Sequence, residues 1–580
     1  MRIAVIQKDK CNPQRCGNYC QKLCPINRKG EQCITINQKA AINEELCIGC
    51  GICHKCPFEA ISIINLPESL KQQPIHQYGK NGFRLFNLPL PQKNKVTGII
   101  GKNGIGKTTA IEILSGILKP NLGKKQASEQ EILEFFKGQE LQNHFKNLNR
   151  LKVSYKPQKV DQIPKITKGT VKTLLTKVDE KNQLEKITKQ LEIFNILNHD
   201  IDQISGGELQ RVAIAATVLK KADIYIFDEP TNYLDIKQRF KIAKFIRSLL
   251  NEKTSIIVIE HDLIILDYLS DIIHLMYGQE SCYGIVSQPK TTKSGINIYL
   301  EGYLKQENIR FRDKKITFQE KTPEKSKKFS TLTTFTEISK KLNSFTLTTE
   351  QGEIKQQEIV GILGPNAIGK TTLMKILAGQ LKPDSGNLEK IKISYKPQYI
   401  KPDQNDLVIN LLQKETKEFS SSKYKTLILE PLKIQPLFNK DINTLSGGEL
   451  QRVAIALALS RDSDLILLDE PSAFLDIEER LALSKTIKNF IEQKEISALI
   501  VDHDLLFIDY ISDRLIIFSG QPAINGHCSS PSQMEEGMNS FLKDAKITLR
   551  RDTETKRPRI NKPNSVLDRK QKESGKYYYQ

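Results

Sequence analysis

Gly101-Lys102-Asn103-Gly104-Ile105-Gly106-Lys107-Thr108-Thr109 follows the apolar run Val96-Thr97-Gly98-Ile99-Ile100. Glycines at this spacing let successive backbone N–H groups wrap phosphate oxygens, and the start of the following helix favours their negative charge. Lys107 is then placed to reach β- and γ-phosphates, and the Thr108 hydroxyl to bind Mg2+. The string returns as Gly364-Pro365-Asn366-Ala367-Ile368-Gly369-Lys370-Thr371-Thr372. Behind each copy come the same four further strings in the same order. Tyr155-Lys-Pro-Gln158 is matched by Tyr395-Lys-Pro-Gln398, and Ser205-Gly206-Gly207-Glu208-Leu-Gln-Arg211 by Ser446-Gly447-Gly448-Glu449-Leu-Gln-Arg452. Asp228-Glu229-Pro230 is matched by Asp469-Glu470-Pro471, and Glu260-His261-Asp262 by Asp502-His503-Asp504. Apolar strands such as 224–227 and 256–259 run into these polar residues, with helical stretches between. The pattern predicts an α/β fold of two tandem nucleotide-binding cassettes, each on a largely parallel sheet with its chemistry at the strand ends.

The spacing locates an insertion. Lys370 lies 263 residues after Lys107, whereas Gln398 lies 240 after Gln158, so the first copy carries 23 more residues between lysine and glutamine. In that window Ile132, Leu133, Phe135 and Phe136 precede Gly138, and Leu141, Phe145 and Leu148 follow at helical spacing. This predicts a helix–loop–helix over about 126–150 with one apolar face. That face either packs on its own cassette or meets a partner.

Asp228 and Asp469 close apolar strands, where a carboxylate holds Mg2+ directly or through water. Glu229 and Glu470 follow at once, suited to polarising the attacking water as general bases. His261 and His503 end the next strand, within reach of a γ-phosphate and of that base. Gln158 and Gln398 are candidates to sense Mg2+ and the attacking water. Thr109 and Thr372 complete the two phosphate loops.

Ser-Gly-Gly-Glu-Leu-Gln-Arg separates ABC cassettes from other ATPases with this phosphate loop, and the chain resembles the ABC ATPase family over roughly residues 75–525. The resemblance implies that Ser205–Glu208 and Ser446–Glu449 each contact the γ-phosphate held by the opposite cassette. Lys107 and Glu229 would then work with Ser446–Glu449, and Lys370 and Glu470 with Ser205–Glu208, inside one monomer. One position departs from the repeat: Ala367 stands where the first copy has Gly104. A methyl group there crowds the loop if the position needs positive φ.

Nine of the eleven cysteines precede residue 60: Cys11, Cys16, Cys20, Cys24, Cys33, Cys47, Cys50, Cys53 and Cys56. Thiols confined to one end of a large chain with no secretion signal point to metal rather than to disulfides. Cys47-Ile-Gly-Cys50-Gly-Ile-Cys53-His-Lys-Cys56-Pro57 resembles a bacterial-type ferredoxin run, with Cys11, Cys16, Cys20 and Cys24-Pro25 as a looser second run. In such folds the last cysteine of each run serves the other cluster. The resemblance therefore implies a ferredoxin-like α+β domain with two [4Fe–4S] clusters, one on Cys24, Cys47, Cys50 and Cys53, the other on Cys11, Cys16, Cys20 and Cys56. Two residues rather than the usual three separate Cys53 from Cys56, which puts the second cluster in question. Zinc is the rival metal. Cys33 is left to packing, as are Cys282 and Cys528.

The chain has 580 residues and a net charge of +20, from 87 Lys and Arg against 67 Asp and Glu. Such a balance favours a polyanionic partner such as nucleic acid or a ribonucleoprotein, unless it reflects a generally basic proteome. No apolar run approaches the ~20 residues needed to cross a bilayer. Two stretches are strongly basic. Residues 303–328 hold nine Lys and Arg against four acids, and 550–580 hold ten against four. They read as hinges or solvated linkers, with the last residues, 575–580, expected to fray. The expected domains are 1–72 for the cysteines, 73–295 for the first cassette, 296–325 as a hinge, 326–522 for the second cassette, and 523–580 as a C-terminal hinge segment.

A cysteine domain ahead of two such cassettes, with a helix–loop–helix in the first, resembles the ABC-E family, the ribosome-recycling ATPases also called RNase L inhibitor. Tyr233-Leu-Asp235, Gly295-Ile-Asn297 and Arg557-Pro-Arg-Ile-Asn-Lys562 carry the likeness further. The resemblance implies a cytoplasmic ATPase that splits ribosomes with a release factor or Pelota-type partner. It implies retention on the small subunit, contact with ribosomal RNA, and links to initiation factors. An ATP-dependent regulatory scaffold of nuclease-inhibitor type is the alternative. An ATP-coupled iron–sulfur redox enzyme is a further one, disfavoured by the doubled Ser-Gly-Gly-Glu string and by the lack of a second redox-cofactor motif.

Overall fold

A computed structural model describes residues 2–43, 46–65, 73–318, 330–387, 389, 391–398 and 406–578. The expected boundaries at 72 and 325 and the basic stretch beyond 318 lie outside these residues. The chain divides into two compact units. One contains Met1–Asn232, Phe245–Glu260 and Leu269–Lys315, and the other Tyr233–Lys244, His261–Tyr268 and Ile316–Gln580.

In the first unit, Val96–Ile100 is the middle of a nine-stranded sheet. Ser255–Ile259, Ile224–Asp228 and Val153–Lys156 continue it on one side and Ile272–Gln279 lies on the other, all five parallel. Val96–Ile100, Ile224–Asp228 and Ser255–Ile259 are buried at every position, as apolar strands covered on both faces must be. The second unit repeats the order: Ile359–Leu363 lies between Arg514–Gln521 and Ser497–Val501, followed by Leu465–Asp469 and Ile393–Lys396. The parallel registers put the two phosphate loops and the two Asp-Glu pairs at the same ends of their sheets.

The insertion forms helices Glu129–Phe135 and Glu140–Asn147, the first opened by a capping box between Ser128 and Glu131. Its apolar face is spent on the first cassette. Ile132, Phe136 and Leu141 are buried in one core with Ile111 and Leu114, and Phe136 stacks on Phe145. Of the two roles open to that face, packing is the one it performs.

The cysteine domain pairs Arg2–Ile6 antiparallel with Ile61–Asn65 and adds a hairpin of Ile34–Ile36 with Ala40–Ile42. Three short helices, Pro13–Cys16, Tyr19–Leu23 and Pro25–Arg28, follow Cys11; the first two hold Cys16 and Cys20, and Cys24 joins the second to the third. Asn81 ties the domain to the cassette beside it. Its backbone oxygen accepts from Ile6 N–H at 2.8 Å and its side chain from Ile42 N–H at 2.9 Å.

The C-terminal basic segment is not a solvated linker. Arg557 is fully buried and donates to Asp267, and Arg559 grips Asp267 with two nitrogens at 2.7 and 3.0 Å while reaching Asp552. Nor does the chain fray at 575–578: Tyr578 is buried, its hydroxyl bonded to Asp509 and its N–H to Asn539. Residues 579–580 lie outside the described set.

Candidate ATP sites and cysteine centre

Strand end, loop and helix assemble each phosphate site. Gly106 and Gly369 lie in the left-handed region at φ 87° and 100°, capping helices Lys107–Leu114 and Lys370–Leu377. A side chain at Gly106 would strike the Phe83 ring, 2.5 Å from where its Cβ would stand, so the loop closes against that aromatic. Phe345 backs Gly369 in the same way. Neither phenylalanine is legible from the phosphate-loop string, because both come from an upstream strand region. Lys107 Nζ donates to Gly101 O at 2.9 Å and Lys102 O at 2.7 Å, with Asn103 Oδ1 at 3.4 Å. Lys370 does the same to Gly364 O and Pro365 O. Each ammonium is held by its own loop at the mouth of the site, and burial lowers Lys370 to about 8.

The Mg2+ candidates converge. Thr371 Oγ1 donates to Asp469 Oδ2 at 2.7 Å, whereas Thr108 and Asp228 are 3.5 Å apart. Asp469 Oδ1 is buried and accepts no hydrogen bond among the described residues, a carboxylate oxygen ready for a cation. Burial, then the Glu229 charge, raises Asp228 to about 7. These groups fit Mg2+: Thr108 with Asp228, and Thr371 with Asp469, would hold it beside the phosphates.

Glu229 and Glu470 are both in left-handed backbone, at φ 50° and 49°. Strain of this kind in non-glycine residues persists only where the surroundings enforce it. Gln158 Nε2 donates to Glu229 Oε1, and Gln398 Nε2 to Glu470 Oε1, both at 2.7 Å. Beneath them Lys156 and Lys396, almost wholly buried, donate to the carbonyls of the Asp-Glu pairs, and Gln210 and Gln451 donate to the glutamate carbonyls. All four residues sit inside the repeated strings, where residue type alone does not assign them a role. His503 Nε2 lies 3.5 Å from Glu470 Oε1. Burial, then Lys370 and Arg239, holds its ring neutral, so it lies beside the Glu470 carboxylate without adding charge. Burial and the neighbouring Asp469 raise Glu470 to about 7. His261 is buried in the second unit.

Ser205 and Ser446 cap the 14-residue helices Gly206–Leu219 and Gly447–Ser460, each in a box with Glu208 or Glu449. A Cβ on Gly448 would come within 3.1 Å of Phe474 O, which explains a glycine there. These helix starts present N–H groups and a positive dipole end, suited to an incoming phosphate.

Ala367 has φ 55° where Gly104 has 72°, so the position does require the left-handed region. The loop keeps its fold: Ala523 N–H donates to Ala367 O as Ser281 N–H does to Gly104 O, both at 2.9 Å.

In the cysteine domain, Cys24, Cys47, Cys50 and Cys53 line one cavity, with Cys33 and an apolar wall that includes Ile26, Ile34 and Ile52. Cys20 has Cys56, Cys11 and Cys16 around it, and burial with the Cys56 neighbour pushes it up to about 11. The shortened spacing therefore still delivers Cys56 to the other run. No three His, Cys, Asp or Glu side chains among the described residues converge on a point that would hold a single ion. Thiols spread around a cavity suit a multi-atom iron–sulfur group better than one zinc ion. Cys282 and Cys528 are buried and unpaired by disulfide.

The two sheets, their doubled phosphate loops and the capped Ser-Gly-Gly-Glu helices define a twin-cassette ABC-type ATPase with a cysteine domain. The ABC transporter family model matches residues 87–232 and 347–473, and that of a possible Fer4-like domain in RNase L inhibitor matches 1–32. The chain is 51% identical to an uncharacterized ABC transporter ATP-binding protein of Methanocaldococcus jannaschii, over 100% of this chain and 98% of the relative. It is 44% identical to translation initiation factor RLI1 of Saccharomyces cerevisiae, over 100% and 98%. A structure titled as a model of ribosome-bound archaeal Pelota and ABCE1 aligns with a TM-score of 0.95 at 51% identity, covering 100% of this chain and 99% of that one. A complex of archaeal ribosomal stalk protein aP1 with ribosome recycling factor aABCE1 aligns at 0.83 over 88% and 99%. The chain belongs to the ABCE1/RNase L inhibitor family. It is an ABC ATPase that uses ATP with Mg2+ and carries an iron–sulfur domain. No helix among the described residues is long and apolar enough to cross a membrane.

Proposed function

We propose that this chain is a cytoplasmic, ATP-driven ribosome recycling factor that splits ribosomes into subunits after termination or stalling, with a release factor or Pelota-type partner. The observation that carries this is the end-to-end alignment with the ribosome-bound Pelota and ABCE1 structure, cysteine domain included. Each ATP is held by one cassette's phosphate loop and closed over by the other's Ser-Gly-Gly-Glu helix. Lys107 or Lys370 binds the phosphates, Glu229 or Glu470 takes the proton of the attacking water, and His261 or His503 orients that base. Mg2+ supplies charge neutralisation at the phosphates when bound. The cysteine domain carries two [4Fe–4S] clusters on the two ligand sets given above, and these cross-link a segment poor in large apolar side chains.

Asn81 and Phe83 are the route from ATP to that domain: Asn81 holds Ile6 and Ile42, and two residues on Phe83 backs Gly106. Closure of the first phosphate loop thus bears on the cysteine domain through one short loop. The exposed bases of the C-terminal segment, Lys562, Arg569, Lys570 and Lys576, face solvent and are open to small-subunit RNA, whereas Arg557 and Arg559 are spent internally. Initiation factors and the ribosomal stalk are further partners on this reading. The test is ATP turnover with and without ribosomes: turnover should rise with purified ribosomes and a Pelota-type factor. Turnover indifferent to both would leave a scaffold instead.

A further inference from the structure

Its place in the sequence leaves Cys33 to packing, but it lies in the wall of the cavity lined by Cys24, Cys47, Cys50 and Cys53. Only 1% of it is exposed, and Cys24 and Cys47 are the neighbouring thiols that bear on it. The hairpin puts it there: Ile34 pairs with Ile42, and Asn43 N–H donates to Cys33 O at 2.7 Å. The Asn43 carbonyl then joins two of the thiols' residues, accepting Cys47 N–H at 3.0 Å and the Cys33 Sγ at 3.8 Å. Packing alone would need only a small apolar side chain here. A buried sulfur on a hairpin, in the same wall as four ligand cysteines, would be a further donor to the group they hold. Its neighbour Cys47 is half-buried and Cys50 exposed, so ligands open to solvent oxidants adjoin one that is not.

We propose that Cys33 is a reserve iron ligand, able to replace Cys24 or Cys47 at the first cluster. This rests on the two-cluster reading above. In the exchange the iron–sulfur bond to the lost cysteine is gone, the Cys33 S–H releases its proton to water, and its sulfur donates an electron pair to the same iron. No oxidation state changes.

The test uses full-length protein, purified and reconstituted without oxygen, with iron and sulfide per chain and visible absorbance as readouts. Wild type and Cys33→Ala should each hold about eight iron, as two cubane clusters require. Cys50→Ala, a ligand that the reserve role does not cover, should fall to about four. Cys47→Ala and Cys24→Ala should each stay near eight, and each should fall to about four once Cys33→Ala is added. Alanine is used because a serine oxygen can itself bind iron. Single variants that lose as much iron as their doubles, in folded protein by circular dichroism, would overturn the reserve role. Wild type holding stoichiometric zinc would instead overturn the cluster reading beneath it.

Discussion

The two nucleotide sites are built from the same parts, yet differ at the tip of the phosphate loop and in how tightly their metal-binding groups meet. At the first, Gly104 is left-handed beneath Glu280, and a Cβ would stand 2.6 Å from the Glu280 Cγ. At the second, Ala367 occupies the same conformation and its methyl group is accommodated. Thr371 and Asp469 are bonded at 2.7 Å, whereas Thr108 and Asp228 are at 3.5 Å. The backbone path of the loop is therefore set by the sheet and the following helix. What glycine supplies at the tip is cheap positive φ and, in the first copy only, room.

The largest effect should come from the bases. Glu229→Gln and Glu470→Gln keep the side chain's shape but remove the proton acceptor, so single-turnover hydrolysis at the altered site should fall by about 10²–10⁴ with ATP affinity kept. Unequal losses would rank the two sites, and a normal rate in either variant would remove that glutamate from its role.

Titration comes next. With Asp228 raised to about 7, the first site carries a proton that Mg2+ must displace. Mg·ATP affinity there should weaken as pH falls below about 7, and binding near pH 7 should release protons, measurable by calorimetry in buffers of different ionisation enthalpy. Because its folded value lies above that of a free carboxyl, Asp228 contributes less stability as pH rises toward 7, and bound Mg2+ removes that loss. At the second site Glu470, also raised to about 7, must be ionised to act as base, so its turnover should drop from pH 8 to 6.

Gly104→Ala should then cost more than its mirror change. Left-handed alanine is worth roughly 1–2 kcal/mol of strain, and Glu280 must also move, so ATP binding at the first site should weaken about tenfold. Adding Glu280→Ala should recover part of the loss. Ala367→Gly should do least. The strain it relieves, about 1 kcal/mol, is nearly matched by the extra freedom glycine gives the unfolded chain, so thermal unfolding and ATP affinity should change little. A large gain in ATP affinity would mean the loop must change conformation to bind.

Much of this was readable in the chain because it is written twice. Doubled strings at matched spacing gave the parallel sheets, the phosphate loops, the Asp-Glu strand ends and the capped Ser-Gly-Gly-Glu helices. Phe83, Phe345 and Asn81 were not legible, since they act through contacts between a loop and a distant glycine or strand. The insertion's apolar stripe could not declare its target, because core and partner faces have the same periodicity. The C-terminal bases looked like a solvated run; that Arg557 and Arg559 meet Asp267, nearly 300 residues earlier, is a property of the tertiary fold alone. Cys33 was set aside by spacing, and the hairpin brought it to the cavity.

The most direct test of the account is sedimentation of post-termination ribosomes mixed with this protein, a Pelota-type factor and nucleotide. ATP should convert them to separate subunits, with the Glu229→Gln/Glu470→Gln protein remaining on the small subunit in ATP. Ribosomes that stay whole with ATP, while the same preparation hydrolyses it at both sites, would contradict it.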